Sequence, residues 1–485
     1  MNHQNDIVVG LDIGTTKIAC FIGQRAENDK IKIIGFGKTP SKGVERGVVK
    51  NIKDTARSIQ KAVEIASEQA GIPVTEVYVG IAGQHINSIQ NIGTVVIPPE
   101  HKFIEQSDVD RLIDEQHNIM LNPGQDIIHI FPQNFVVDGE ELSPDVNPVG
   151  VAGKQLKSNF HIVTGNTMNL INIHDSVERA GLKIKGVVLE PVASAYAVLD
   201  KTDRDAGVAL VDIGGGTTDI AIFHEGVIRH TTVLPLAGNA ITNDIKEGCK
   251  ILREQAETLK TRFGSCLPQN VSENDIISIP GLRTQPPREI SMRTLAGIIK
   301  ARTETILEQV DFEIKKSKLE KNIFAGIVLT GGGAQLRHIK ELTEFTTGID
   351  TRIGLPNEHL DKDSDPEIIN TMYSTGIGLV IYGFRELDEK ERHNQENDTE
   401  APVEPEPIAE PEPAKTTDEI FAEMPAQEET EPVVQKPKTT GKNAPKANKD
   451  KSKFGAQLMK SIDKYFGKVF GDDTIRNEGN EEQEL

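Results

Sequence analysis

Two short stretches set an acid, glycines and threonines in the same order, 200 residues apart. The first runs Asp12, Ile13, Gly14, Thr15, Thr16, Lys17. The second runs from Asp212 through Gly214, Gly215, Gly216, Thr217 and Thr218. Glycine lets backbone N–H groups come close to an anion, and threonine hydroxyls add donors. An aspartate at a strand end suits Mg²⁺, held through water because that ion dehydrates reluctantly. One copy alone would read equally well as an ordinary hairpin turn. Two copies with matched acids, and a third turn at Gly331, Gly332 and Gly333, point to phosphate and metal binding. The third turn follows the apolar run Ile327-Val328-Leu329 and is expected to open a helix. It suits the sugar and base side of a nucleotide, or a phosphate at a helix N-terminus. The chain has no G-x-x-x-x-G-K-[ST], and the triple glycine is not a G-x-G-x-x-G.

Apolar strands must carry these turns. Residues 7–24 and 208–230 each read as strand, Gly-rich turn and strand, which is a β-hairpin. Two such hairpins at that separation predict two domains of like topology facing one another. Helical periods follow, over 54–71, 168–181, 240–262 and 289–316, and the segment 186–200 reads as strand, turn and helix. Alternating strands and helices predict an α/β fold. Residues 85–163 differ: short strand-like pieces broken by Pro, Gly and Asn, with a helix near 107–120, predict a small inserted α+β module.

Composition bounds the rest. Tryptophan is absent and aromatics are 4% of the chain, so the cores must be aliphatic. Cys20, Cys249 and Cys266 lack metal-ligand spacing and read as small buried residues of a reducing compartment. No secretory signal and no apolar run of about 18 residues is visible. The net charge of −20 sits mostly in the tail: residues 386–435 hold 17 acidic and 3 basic residues, whereas 436–453 hold seven lysines and one aspartate. The globular part therefore has no strongly basic character, which argues against nucleic acid as a partner. After Arg385 the chain turns rich in Pro and Glu and is expected to be disordered.

Residues 12–16 and 212–219 resemble the two phosphate motifs of the actin-like ATPases. TGGGAQL (330–336) resembles their adenosine motif, and EPVASAYA (190–197) and STGIGLVIYG (374–383) resemble their two connecting helices. Within that superfamily the chain is most similar to the FtsA family. VGIAGQHINSIQNIGTVVI (79–97) and FHIVTGNTMNLINIHDSVERAGL (160–182) look like the entry to and exit from that family's inserted subdomain. The resemblance implies ATP with Mg²⁺ in a cleft between two domains, each built on a five-stranded sheet. It assigns Asp12 and Asp212 to the metal, and Gly14, Thr15, Thr16, Lys17, Gly214, Gly215, Gly216, Thr217 and Thr218 to the phosphates. It assigns Gly331, Gly332 and Gly333 to adenosine, and Glu257 and Lys260 to ribose and base. A solvated i,i+3 pair is the plain alternative for Glu257 and Lys260. Glu190 matches the carboxylate that positions water in many relatives, which leaves slow hydrolysis open. Positioning a water does not require fast turnover, so ATP is expected to act as a conformational ligand and polymer stabiliser of a scaffold that is at most a slow ATPase.

The implied layout has a first core subdomain (1–84 with 164–203 and 370–385) and the insertion (85–163). A second core subdomain (204–240 with 322–369) follows, with its upper subdomain (241–321). A linker (386–453), a terminal helix (454–471) and an acidic tail (472–485) complete the chain. The implied partners are the C-terminal peptide of the tubulin-like FtsZ, other copies in filaments, later cell-division proteins, and the cytoplasmic face of the membrane at the septum. Arg293, Lys300 and Arg302 on the upper subdomain are the candidate FtsZ contacts, with a merely solvated helix face as the alternative.

The far end of the chain has its own pattern. On a helix at about 100° per residue, Phe454, Leu458, Met459, Ile462, Tyr465, Phe466, Val469 and Phe470 fall within about 160°, and Lys460, Lys464 and Lys468 lie opposite. This is the pattern of an interfacial membrane helix, with lysines towards anionic lipid; a partner-binding helix is the alternative. A metabolic kinase of the same superfamily would leave that tail unexplained. A chaperone would need a β-rich domain after residue 385.

Overall fold

The structure is a computed structural model that describes residues 6–399, apart from 27–29, 145, 281–285 and 363. The linker beyond residue 399 and the terminal helix expected at 454–471, with its apolar residues and lysines, lie outside the described residues.

The chain first lays down β1 (Ile7–Ile13), β2 (Lys17–Arg25) and β3 (Ile31–Pro40) as an antiparallel meander. A short hairpin of β4 (Val44–Glu45) and β5 (Val48–Val49) leads into α1 (Ile52–Ala70). That helix is capped by the Asn51 side chain, which accepts from the Asp54 N–H, and stopped by Gly71 at φ 70°. Strand β6 (Glu76–Ile81) then pairs parallel with β1.

The inserted module follows. It comprises β7 (Asn87–Val96), α2 (Gln106–Asp114), β8 (Gln125–Val137), β9 (Glu140–Glu141) and β10 (Gln155–Asn166). Its sheet order is β7-β10-β8-β9, around a separate core that includes Ile104, Leu112, Ile130 and Phe160. The chain returns through α3 (Thr167–Arg179), β11 (Lys183–Leu189), α4 (Glu190–Val198) and α5 (Lys201–Ala206).

A second meander, β12 (Val208–Ile213), β13 (Thr218–His224) and β14 (Val227–Leu234), repeats the first. After it come α6 (Gly238–Cys249), α7 (Arg253–Phe263), the hairpin β15 (Ile276–Ile279) and β16 (Arg288–Ser291), and α8 (Met292–Ser317). Strand β17 (Ile327–Thr330), α9 (Ile339–Thr347), β18 (Thr351–Ile353) and α10 (Ser374–Thr399) close the fold.

The two main sheets have the orders β11-β6-β1-β2-β3 and β18-β17-β12-β13-β14. Position by position they share the same parallel and antiparallel pairings. Strands such as β12 and β17 are buried along their whole length, as sheets covered on both faces require. The three cysteines are buried free thiols. No described helix is long and apolar enough to cross a membrane.

Three expectations need correction. The helix expected over 240–262 is two helices, because Lys250 takes a left-handed φ of 51° and ends α6. The third glycine turn does not open an α-helix. A 3-10 turn at Gly332–Gln335 and a left-handed His338 intervene before α9. The segment after Arg385 stays helical to Thr399, since ELDEKER is rich in helix formers and Glu386 pairs with Lys390 one turn on.

The module inserted in the first half of the chain also touches the second sheet. Gln133 Nε2 donates to the Ile228 carbonyl (3.0 Å), and Arg229 donates back to the Gln133 carbonyl (2.7 Å). The buried His161 Nε2 meets Thr231 Oγ1 at 2.9 Å.

Candidate functional site

Both hairpin turns end at the same place. In the second hairpin, Asp212 and Asp219 are paired across β12 and β13, and the turn closes by Gly214 N–H donating to the Thr217 carbonyl (2.9 Å). The first turn is held by Thr15 Oγ1, which accepts from the Gly47 N–H (3.0 Å). The turns abut: a Cβ on Gly215 would lie 2.2 Å from Thr16 Cγ2, and one on Gly216 would lie 2.5 Å from Thr15 Oγ1. The third turn closes the arrangement. Gly331 has φ 81°, and a Cβ there would lie 2.2 Å from Asp212 Oδ1. Glycine is therefore required both for its conformation and for the approach.

These elements line one cavity of about 250 Å³. Its walls include Asp12, Gly14, Thr15, Thr16, Lys17, Glu190, Asp212, Gly214, Gly215, Gly216, Thr217, Glu257, Lys260, Gly331, Gly332 and Gly333. Thr218 is the exception among the residues expected there. Strand alternation turns it away from the cavity, and its hydroxyl donates to the Leu236 carbonyl at 2.7 Å.

The carboxylate end is crowded. Lys17 Nζ bonds Asp12 Oδ2 at 3.0 Å. Burial opposes the charge on Lys17, but Asp12, Asp212 and Glu190 outweigh it and raise the ammonium's pKa. Burial, then Asp12, Asp219 and Asp212, push the Glu190 carboxyl well above the usual range, against a smaller opposing effect of Lys17. Burial also raises Asp212, while a hydrogen bond from Ser194 opposes the rise.

Asp219 was not among the residues expected from the sequence. It lines the cavity, its Oδ2 accepts from Thr217 Oγ1 (3.1 Å), and burial followed by Asp212 pushes it up to about 8. Its Oδ1 is buried and finds no hydrogen-bond partner among the described residues. The signal was present: Asp219 closes the quoted 212–219 motif, two residues after Thr217. An all-oxygen set of carboxylates around an orphaned buried oxygen fits a hard cation such as Mg²⁺.

Beside the second turn, Lys260 Nζ bonds Glu257 (2.8 Å), Thr242 Oγ1 (2.9 Å) and the Gly238 carbonyl (3.1 Å). The last contact links α7 to the second turn, because Gly238 N–H donates to the Gly214 carbonyl. Glu257 and Lys260 are thus built into the wall rather than solvated as a free pair. Gln335, Arg337 and Met372 also line the cavity. Gln335 belongs to the quoted 330–336 motif and Arg337 follows it directly, whereas Met372 comes from a separate segment that no motif marks.

The surface candidates on α8 are engaged within the chain. Arg302 makes a forked pair with Asp244 on α6 (2.6 and 3.1 Å). Arg293 contacts Glu273, and Lys300 lies 3.3 Å from Glu304.

Two sheets of matching order, joined by crossing helices and sharing a cleft at facing glycine turns, define an actin-like ATPase fold. The PilM–PilN type IV pilus biogenesis complex shares that architecture, with a TM-score of 0.56 at 15% identity over 78% of this chain and 98% of that one. A family profile described as cell division protein FtsA matches residues 209–378, and one described as the SHS2 domain inserted in FtsA matches 83–164. The cell division protein FtsA of Pseudomonas aeruginosa is 38% identical over 78% of this chain and 89% of its own. That of Escherichia coli K12 is 33% identical over 78% and 90%. The chain belongs to the FtsA family of cell division proteins.

Proposed function

We propose that the cleft binds ATP with Mg²⁺ and that ATP-loaded heads assemble on the membrane as a tether for FtsZ. The observation that carries this reading is the convergence of three glycine turns and the acids Asp12 and Asp212 on one cavity between the matched sheets. Gly14, Thr15, Thr16 and Gly214 to Thr217 would cradle the phosphates, and Gly331 to Gly333 with Glu257 and Lys260 would hold the nucleoside. Asp12 and Asp212 would hold Mg²⁺ through water, with Asp219 as a further acceptor. When bound, the ion neutralises phosphate charge.

Glu190 would orient a water beside the phosphates. Positioning a water beside a metal-held phosphate does not require fast turnover. ATP then serves mainly as a conformational and assembly ligand.

Residues 241–321 would dock the FtsZ C-terminal peptide, and 85–163 would make filament contacts and recruit later division proteins. The apolar face at 454–471 would lie in the cytoplasmic leaflet. One such helix binds weakly, and a filament presenting many binds tightly.

Co-sedimentation of the full chain with anionic vesicles, with ATP and FtsZ, tests this. Removing 454–471 should abolish vesicle binding and preserve FtsZ binding. Equal sedimentation of the truncated chain would refute the anchor, and rapid phosphorylation of small polyols would refute the scaffold.

A further inference from the structure

Two hydroxyls join the helices that connect the domains to the second of the cleft's acids. Helix α4 leads from the first sheet towards the second, and α10 brings the chain back. They cross at contact distance: a Cβ on Gly378 would lie 1.8 Å from the Ala193 carbonyl oxygen. Beside that crossing, Ser194 of α4 donates to Asp212 Oδ2 at 2.8 Å. Thr375 of α10 lies 3.0 Å from Ser194 Oγ and 3.3 Å from Asp212 Oδ2. All three residues are buried.

The neighbouring residue of α10 extends the pattern. Ser374 Oγ lies 2.6 Å from Thr330 Oγ1, at the end of β17 where the Gly331 turn begins. Thr371, just before α10, donates to the Gly331 carbonyl (2.8 Å). One end of α10 therefore touches both Asp212 and the third turn. A rotation of one sheet against the other that shifts α4 against α10 would move the hydroxyls that hold this carboxylate.

We propose that Ser194 and Thr375 are positioning residues that couple the crossing of α4 and α10 to the orientation of Asp212, so that cation binding at this acid and domain closure favour one another. Such coupling is reciprocal by linkage. The proposal rests on the reading of the cleft as a Mg²⁺–ATP site.

The test measures affinity for a fluorescent ATP analogue in EDTA and in Mg²⁺, for the full chain and for Thr375→Val, Thr375→Ser and Ser194→Ala. Spin labels on Lys61→Cys and Glu308→Cys report the interdomain distance. Valine keeps the shape of threonine and removes its hydroxyl. Thr375→Val and Ser194→Ala should each lower the gain in affinity from Mg²⁺ about fivefold, the loss of one net hydrogen bond. Affinity in EDTA should be unchanged for Ser194→Ala, whose residue does not line the cavity. The distance distribution with Mg²⁺ and the analogue should broaden in both variants, and Thr375→Ser should behave as the parent chain. Equal losses in EDTA and Mg²⁺, an undiminished Mg²⁺ gain, or a serine variant no better than valine would overturn the proposal. Absence of any Mg²⁺ gain in the parent chain would overturn the reading of the cleft itself.

Discussion

Gly216 and Thr15 meet across the cleft, with room for a hydrogen but not for a methyl group: a Cβ on Gly216 would lie 2.5 Å from Thr15 Oγ1. The two hairpins come from different sheets, so this contact limits how closely the two turns approach one another.

Gly216→Ala should therefore force the turns apart. Affinity for a fluorescent ATP analogue is expected to fall at least about tenfold, about 1.4 kcal/mol. Thermal unfolding should change little, because the residue lies at the cleft rather than in a core. An unchanged dissociation constant would contradict the approach of the two turns.

Asp219 should leave a signature in the pH dependence of stability. Its folded pKa of about 8 exceeds its unfolded value of about 3.9, so its proton favours the folded state. That contribution is complete below the unfolded value and is lost as pH rises through about 8. Asp219→Asn should flatten the decline in melting temperature between pH 5 and 8, measured in EDTA without nucleotide. A parallel decline in both proteins would refute the assignment.

His161 works in the opposite direction. Burial, then His230, lower its pKa to about 3, below the unfolded value of about 6.5. Its contribution is present above about 6.5 and is lost as pH falls towards 3. His161→Phe should flatten the acid limb of the stability profile. It should also cost about 1 kcal/mol at neutral pH through the lost contact with Thr231. Hydrogen exchange at β14 would show whether the inserted module is what loosens.

On α8, pairing separates two candidate contacts. Arg302 is forked onto Asp244 at 2.6 and 3.1 Å, whereas Lys300 has a looser partner in Glu304 at 3.3 Å. Lys300→Glu should weaken binding of the FtsZ C-terminal peptide more than Arg302→Ala does, by fluorescence anisotropy. The reverse order would move the docking surface towards α6.

Much of this protein is local and was readable from its residues. A strand, a glycine turn and a strand need only near neighbours, so both hairpins and their acids could be found by pattern, as could the helix ending at Gly71. Where the outcome depends on what packs against a segment, the pattern misleads. The break at Lys250 interrupts a continuous helical period, and the helix running on to Thr399 occupies a stretch whose composition reads as linker. Thr218 was expected at the phosphates because the resemblance assigned the whole run from Gly214 to Thr218 to them, but alternation along β13 turns it inwards.

By itself the sequence determined the two duplicated turns, their matched acids and the inserted module. These features lie within short windows, where spacing and residue type suffice. Only the tertiary structure decided that Asp219 joins Asp12, Asp212 and Glu190 at the cavity, and that Met372 forms part of its wall. It alone brought Ser194 and Thr375, 181 residues apart, onto a single carboxylate. Those meetings depend on how two sheets and two crossing helices pack, and no local spacing records that.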